Sequence, residues 1–236
     1  MSSIVDFHSH ILPGVDDGSK SVEETLAMLR MAAEQGIEHV VATPHFYAKY
    51  DTPERFLERR REAEEKLFIA LKENSGLPKI SIGAEVHYFR GIGNSEAVLG
   101  LTIKGKKSIL IEMPQVEWTE SMYRDLELLY THSGLTPIIA HIDRYIKPFR
   151  AKKVLDRLAD LPVLIQANAE FFLTRATANM ALRMLKNDQI HLLGSDSHNM
   201  EDRSPNLGKA LALIEKRVDP HVFFRIEQYQ RDVLGN

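Results

Sequence analysis

Two histidines separated by one residue, His8 and His10, close an apolar run near the start of the chain. Side chains two apart in an extended strand project to the same side, so the pair can grip one cation together. Asp196-Ser197-His198 repeats the spacing far downstream and can reach two neighbouring cations. Between them, Thr43-Pro44-His45, Gly83-Ala84-Glu85, Ile111-Glu112 and Ala140-His141 each put a histidine or a carboxylate where an apolar run stops. A lone histidine is more often a satisfied, partly buried side chain than a ligand. The set is different, because several carboxylates gathered at one place without cations would be severely destabilising. Imidazole and oxygen donors suit zinc, manganese or iron. Cysteine is absent, which removes disulfides, iron–sulfur clusters, thiolate zinc sites and a cysteine nucleophile.

The elements that must carry these residues alternate. Apolar runs at 3–7, 38–43, 79–86, 108–113, 136–142, 162–168 and 190–195 are short and almost wholly hydrophobic, as strands covered on both faces should be. Helical patterns separate them. One opens at the capping box Ser21-Val-Glu-Glu and ends at Gly36, and another runs from Pro53 to about 74. Others are predicted at 119–133, 151–160, 170–187, 205–216 and 220–232. Strands alternating with helices imply parallel pairing through right-handed crossovers. The expected fold is therefore α/β, a barrel-like arrangement of seven strands in a single domain over 1–236. Its βα loops would bring the strand ends to one face. The glycine-rich stretch 87–106 is irregular, with room for a small extra strand or flap.

Net charge is −3 over 236 residues, so no global positive field recruits nucleic acid. No window is apolar enough for membrane insertion, and the N-terminus lacks a signal-peptide pattern, so a cytoplasmic location is expected. The mixed-sign run Glu58-Arg-Arg-Arg-Glu62 reads as a solvated or subunit-contact helix face. His39, His132, His191 and His221 lie away from the motifs and read as structural. His87 follows Glu85 at the same spacing, and a structural role outweighs a supporting one there. Phe46-Tyr47 and Trp118 admit a phenol-accepting rim, with aromatic packing the plainer reading. In the loop Leu12-Pro-Gly-Val-Asp-Asp-Gly18 two acids stand beside the ligand face, and spacing does not choose between a ligand and a capped turn. Arg144 and Arg203 follow His141 and His198, and their planar forks suit a phosphoryl group.

Taken in order, His8-x-His10, GVDDG, Thr43-Pro44-His45, Gly83-Ala84-Glu85, Ile111-Glu112, His141-x-x-Arg144-Tyr145 and Asp196-Ser197-His198 resemble the PHP (polymerase and histidinol phosphatase) superfamily. The branch resembled is the bacterial capsular and exopolysaccharide tyrosine-protein phosphatases, from about residue 4 to 215. The resemblance implies a distorted (βα)7 barrel holding three divalent ions, with manganese expected and iron or zinc admitted. It implies His8, His10, Glu85 and Asp196 on one ion, Glu85, Glu112 and His141 on a second, and Asp16, His45 and His198 on the third. Arg144 and Arg203 fall on the two arginines of that branch. Asp143 and Met113 depart from the usual pattern without touching a ligand position. The implied activity is cysteine-independent hydrolysis of phosphotyrosine, on a bacterial tyrosine kinase controlling polysaccharide synthesis. A PHP phosphatase of a small metabolite, such as histidinol phosphate or a nucleotide phosphoester, and a non-catalytic PHP module are the alternatives.

Overall fold

Apolar strands alternating with amphipathic helices build a parallel sheet that curls on itself. The computed structural model describes residues 4–146 and 151–235. The strands are β1 (Val5–Ser9), β2 (His39–Ala42), β3 (His45–Phe46), β4 (Lys79–Ile82), β5 (Glu85–His87), β6 (Ser108–Glu112), β7 (Thr136–Ile139), β8 (Leu164–Asn168) and β9 (Leu192–Gly194). They pair in parallel in two orders, β1-β2-β4 and β3-β5-β6-β7-β8-β9.

The predicted run 79–86 is interrupted, and the run 38–43 is followed after a break by a further short strand. Thr43-Pro44 parts β2 from β3, and Gly83-Ala84 parts β4 from β5. Pro44 has no N–H to donate to a ladder. Backbone bonds span the breaks all the same: Gly83 N–H donates to Ala42 O at 2.8 Å and Glu85 N–H to Pro44 O at 3.0 Å. At the other edge Asp196 N–H donates to His8 O at 2.7 Å, and His10 N–H to Ser197 O at 2.8 Å. A parallel bridge between Ser9 and Ser197 brings the segment after β9 against β1.

The helices are α1 (Val22–Glu34), α2 (Pro53–Lys72), α3 (Glu120–Thr131), α4 (Ala151–Ala159), α5 (Ala169–Leu173), α6 (Ala178–Lys186), α7 (Leu207–Glu215) and α8 (Pro220–Leu234). Ser21 caps α1 by accepting from Glu24 N–H, and Thr52 caps α2. The expected helix over 170–187 is two helices. Between them the Thr177 hydroxyl donates to Phe171 O at 2.8 Å, a local competitor to the helical ladder. Beyond the end of β5 at His87, the 87–106 stretch holds two 3₁₀ turns, Ile92–Asn94 and Glu96–Leu101, and no further strand. Buried Arg60 of α2 ties that stretch to the sheet, donating to Gly83 O at 2.9 Å and Gly100 O at 3.0 Å. Arg61, by contrast, is exposed and pairs with Glu58 and Glu65.

Val5, Phe7, Val41, Leu110, Ile138 and Leu192 meet inside the curl, where Val233 and Leu234 of α8 join them. A larger cluster packs the outer strand faces under the helices. Burying each such side chain contributes about 1.5–3 kcal/mol. Among the described residues no helix is long and apolar enough to cross a membrane.

His191, just before β9, is a structural histidine as expected. Its Nδ1 accepts from Ile165 N–H at 2.9 Å, and its ring meets Tyr229 edge-on at 4.7 Å. Burial pushes its pKa below the usual 6.5; Asp188 works against that and Arg225 with it. The folded state therefore binds fewer protons than the unfolded one, so this contribution is intact above about 6.5 and lost as pH falls below it. Melting curves at pH 7.5 and 5.5 check this: His191→Gln should lose less stability on acidification than the wild type.

Candidate metal centre

Each strand end presents its donor to the same mouth. His8 and His10 leave β1, His45 begins β3, Glu85 begins β5 and Glu112 ends β6; His141 follows β7, and Asp196 and His198 follow β9. His8, His10, Glu85 and His141 are fully buried. His8 Nε2 lies 3.1 Å from His10 Nε2, 3.2 Å from Glu85 Oε2 and 3.5 Å from Asp196 Oδ1. His10 Nε2 lies 3.3 Å from Glu85 Oε2 and 3.4 Å from Asp196 Oδ1. Four donors on a cation at about 2.0–2.1 Å stand about 3.3 Å apart at the corners of a tetrahedron. The separations match that spacing.

Glu85 is shared. Its Oε1 is 2.7 Å from His141 Nε2, which is also 3.8 Å from Glu112 Oε1. Its Oε2 lies 2.9 Å from His45 Nδ1. Ligand atoms of His45, Glu85 and Glu112 form one compact group, and those of His10, Asp17, His45 and His198 form another.

Hydrogen bonds fix which nitrogens are bare. His141 N–H donates to Gln166 Oε1 at 2.6 Å, which orients the amide. The same oxygen lies 3.3 Å from His8 Nδ1, so that in the neutral imidazole a proton on Nδ1 would leave Nε2 free to face the centre. His10 Nδ1 donates to Asp16 Oδ2 at 2.7 Å, and His198 Nδ1 to Asp196 O at 3.0 Å. Such outer partners set the tautomer of a metal-binding imidazole. His198 Nε2 is buried without a hydrogen-bond partner, and His45 Nδ1 and Glu85 Oε2 are buried facing each other at 2.9 Å without hydrogen-bond geometry, an expensive arrangement that a cation would relieve.

The electrostatics point the same way. Burial opposes charge on His8, yet Glu85 and Asp196 raise its pKa; His10 rises well above its ordinary value through Asp16, Asp196 and Glu85. Burial likewise opposes ionisation of Glu85 and Asp196, but His8 first, with His10 and others, holds both well below the carboxylate range. Burial and His10 push His198 down to about 4, so it is neutral, the form that binds metal. The pocket draws in positive charge.

The structure separates the two acids that the loop spacing left open, and it sets Asp16, the one the resemblance implied, apart from the open donors. Its Oδ2 accepts from His10 Nδ1 and from His45 N–H at 2.8 Å, and its Oδ1 from Gly18 N–H at 2.9 Å. Despite burial these bonds, His10 first, lower its pKa to about 2. Asp16 is engaged with the protein, whereas Asp17 Oδ1 faces His45 Nε2 at 3.6 Å and His198 Nε2 at 3.5 Å. Asp-x-Gly is an Asx-turn pattern, the signal that favours Asp16 as the turn former. Gly18 is required there: a Cβ would fall 2.1 Å from His10 O.

Other contributors escaped the sequence reading. Gln166 and Asn168, both on β8, link His8 and His141 to Asp196, Asn168 Nδ2 donating to Asp196 Oδ2 at 3.0 Å. Buried Asp6, its pKa raised by burial to about 6, accepts from Ser195 N–H and His8 N–H. Tyr145 Oη accepts from Met113 N–H and lies 3.2 Å from His141 Nδ1. Two donors sit on left-handed backbone, His141 at φ 32 and Asp196 at φ 54. Such strain is held by the Gln166 and His8 hydrogen bonds and is characteristic of functional sites. His87 Nδ1 is 3.0 Å from Glu112 Oε2, a supporting contact.

Both expected arginines reach the mouth. Arg144 Nη2 donates to Asp196 Oδ2 at 2.5 Å and Nη1 is 3.7 Å from Glu112 Oε1. Arg203 Nη2 donates to Asp196 Oδ1 at 2.9 Å. Each is about one-third exposed, at 31% and 38%.

Residues 4–230 match the family described as capsular polysaccharide synthesis, CpsB/CapC. Tyrosine-protein phosphatase CpsB of Streptococcus pneumoniae is 30% identical over 232 residues, spanning 91% of this chain and 90% of that protein. Tyrosine-protein phosphatase YwqE of Bacillus subtilis is 26% identical over 248 residues, spanning 99% and 92%. A crystal structure from work on YwqE and CpsB, described as metal-dependent tyrosine phosphatases, superposes with a TM-score of 0.84. It is 24% identical and covers 98% of this chain and 95% of its own. The shared fold follows.

Proposed function

Because the chain belongs to the CpsB/CapC family of capsular polysaccharide synthesis, we propose that it is a metal-dependent protein-tyrosine phosphatase. Its substrate in this reading is a phosphotyrosine protein, a bacterial tyrosine kinase that controls capsular or exopolysaccharide synthesis. The observation that carries the reading is the convergence of His8, His10, Glu85 and Asp196 donors at 3.1–3.5 Å in a buried mouth flanked by two arginines. The same reading takes β2 with β3 and β4 with β5 as interrupted staves of a distorted (βα)7 barrel in a single domain.

Three divalent ions, manganese foremost, would be held by His8, His10, Glu85 and Asp196, by Glu85, Glu112 and His141, and by Asp17, His45 and His198. Divalent ions supply Lewis acidity and a water acidic enough to serve as nucleophile near neutral pH. The chain does the rest. Four carboxylates facing three divalent charges leave the centre positive, complementary to a phosphate dianion and far less so to a neutral amide. Arg144 and Arg203 bind phosphoryl oxygens from the side of Asp196. Gln166 and Asp16 keep protons on His8 Nδ1 and His10 Nδ1, so both Nε2 atoms stay available. A tyrosyl leaving group has a pKa of about 10 and departs with less protonation than an alkyl alcohol.

With no cysteine in the chain, phosphocysteine chemistry is unavailable. Turnover of a phosphotyrosine peptide should survive iodoacetamide, vanish with a strong chelator and return with manganese. Elemental analysis of the purified protein and a parallel assay of histidinol phosphate complete the test. Faster turnover of histidinol phosphate would move the substrate to the small-metabolite class.

A further inference from the structure

Around the mouth the strands follow the order β1, β2/β3, β4/β5, β6, β7, β8, β9. Arg144 follows β7 and Arg203 follows β9, so both stand beside β8. The ends of β3 and β5 lie across the mouth from them. Tyr47 is there, half-buried, its ring centroid 5.1 Å from His45 and 5.3 Å from His87. From this wall a cleft of about 480 Å3 runs outward, lined by Asp17, His45, Tyr47, Tyr50, Arg55 and Arg59. Tyr50 is 73% exposed and approaches Tyr47 edge-on at 6.4 Å. Lys49 Nζ lies 5.1 Å above the Tyr50 ring.

The charges at the outer end of the cleft are unevenly paired. Arg59 Nη2 is 2.6 Å from Asp51 Oδ2 and Arg55 Nε is 3.9 Å from Asp51 Oδ1. Among the described residues these two guanidiniums share that one carboxylate, which holds Arg59 closely and Arg55 only loosely. Arg61, on the same helix, is instead held by Glu58 and Glu65. The loosely paired guanidinium of Arg55 thus lies at the end of α2 that opens into the cleft.

We propose that this cleft is a substrate subsite, receiving the aryl ring of a phosphotyrosine against Tyr47 and an acidic side chain of the same peptide at Arg55 and Arg59. The inference rests on the phosphotyrosine reading and adds what flanks the phosphorylated residue. A phosphoryl group anchored from the arginine side leaves the opposite wall for the group it is attached to. An aromatic wall suits a ring through offset or edge-on stacking. Planar guanidinium forks suit a carboxylate, and Arg55, 75% exposed and loosely paired, is available to one.

The test compares kcat/KM for two phosphotyrosine peptides of one sequence, with Asp and Glu or with Asn and Gln beside the phosphotyrosine. The wild type should favour the acidic peptide by about tenfold, and Arg55→Ala combined with Arg59→Ala should bring the ratio near one. Tyr47→Leu should lower the ratio of phosphotyrosine to phosphoserine turnover on matched peptides. Each ratio is internal to one preparation, so a partly misfolded variant does not disturb it. Wild-type hydrolysis of both peptides at equal rates, or a ratio unmoved in the double variant, would overturn the acidic contact. An aryl preference unmoved in Tyr47→Leu would overturn the ring contact. Wild-type hydrolysis of neither peptide would instead overturn the phosphotyrosine reading beneath both.

Discussion

Glu85→Gln should lose bound divalent ions and phosphatase activity together, with kcat/KM falling by about a thousandfold or more. The carboxylate is fully buried and its two oxygens reach four histidines, His8, His10, His45 and His141. An amide keeps the shape but removes the negative charge and turns N–H donors toward nitrogens that are bare in the ligand tautomer. Loss at this one position should therefore empty more than one ion site. Fold and metal are coupled through the same group: stripping ions from the wild type should lower its melting temperature, because the remaining carboxylates then repel one another. Glu85→Gln should melt at the same temperature with and without chelator. Elemental analysis and paired melting curves measure this, and full ion content with wild-type turnover would refute the assignment.

Arg144→Ala and Arg203→Ala should behave in the opposite way, keeping ions while losing rate. In the proposed role each would remove a charge-assisted contact to the transferring group, an effect of about 2–4 kcal/mol in the transition state. The expected fall in kcat/KM is about ten- to a thousandfold for either variant. Both guanidiniums bond Asp196, so either deletion leaves the other to orient that carboxylate, and ion content should survive. Near-wild-type rates in both variants would remove the arginines from the phosphoryl site.

Much of this centre was readable because strands covered on both faces are continuous apolar runs, and the residues that break them stand out. What the spacing could not supply was the side. Val5 and Phe7 belong to the inner core, and strict alternation from Phe7 would turn His8 outward. A register shift between Asp6 and Ser9 against β2 re-aims the strand end, as a bulge does. His8 and His10 thereby reach the mouth. Asp16 and Asp17 are adjacent and chemically alike, and only the turn geometry separates a turn former from a candidate ligand. Gln166 was passed over because an amide is not a metal ligand of choice; its role is visible only when His141 N–H and His8 Nδ1 meet it. Gly194 belongs to the same detail, since a Cβ there would lie 2.6 Å from His8 Cβ and 2.8 Å from Gln166 Nε2. The split of the 170–187 helix depends on one threonine hydroxyl competing for a carbonyl, which periodicity does not weigh.

The closure of β1 against the segment after β9 also has a kinetic side. Ser9 and Ser197, whose hydroxyls lie 3.1 Å apart, are 188 positions apart in sequence, and the donors on either side of them share one cavity. Contacts of that separation carry a large loop-closure entropy and form late. As the chain leaves the ribosome, His8 and His10 emerge early, while Asp196 and His198 emerge only near its end. A nascent or truncated chain without them therefore has two of its three donor groups incomplete, one lacking Asp196 and one lacking His198, and lacks the arginine that follows His198. On the proposed site, the donors and the arginine that follow β9 join the others only when that segment docks on β1.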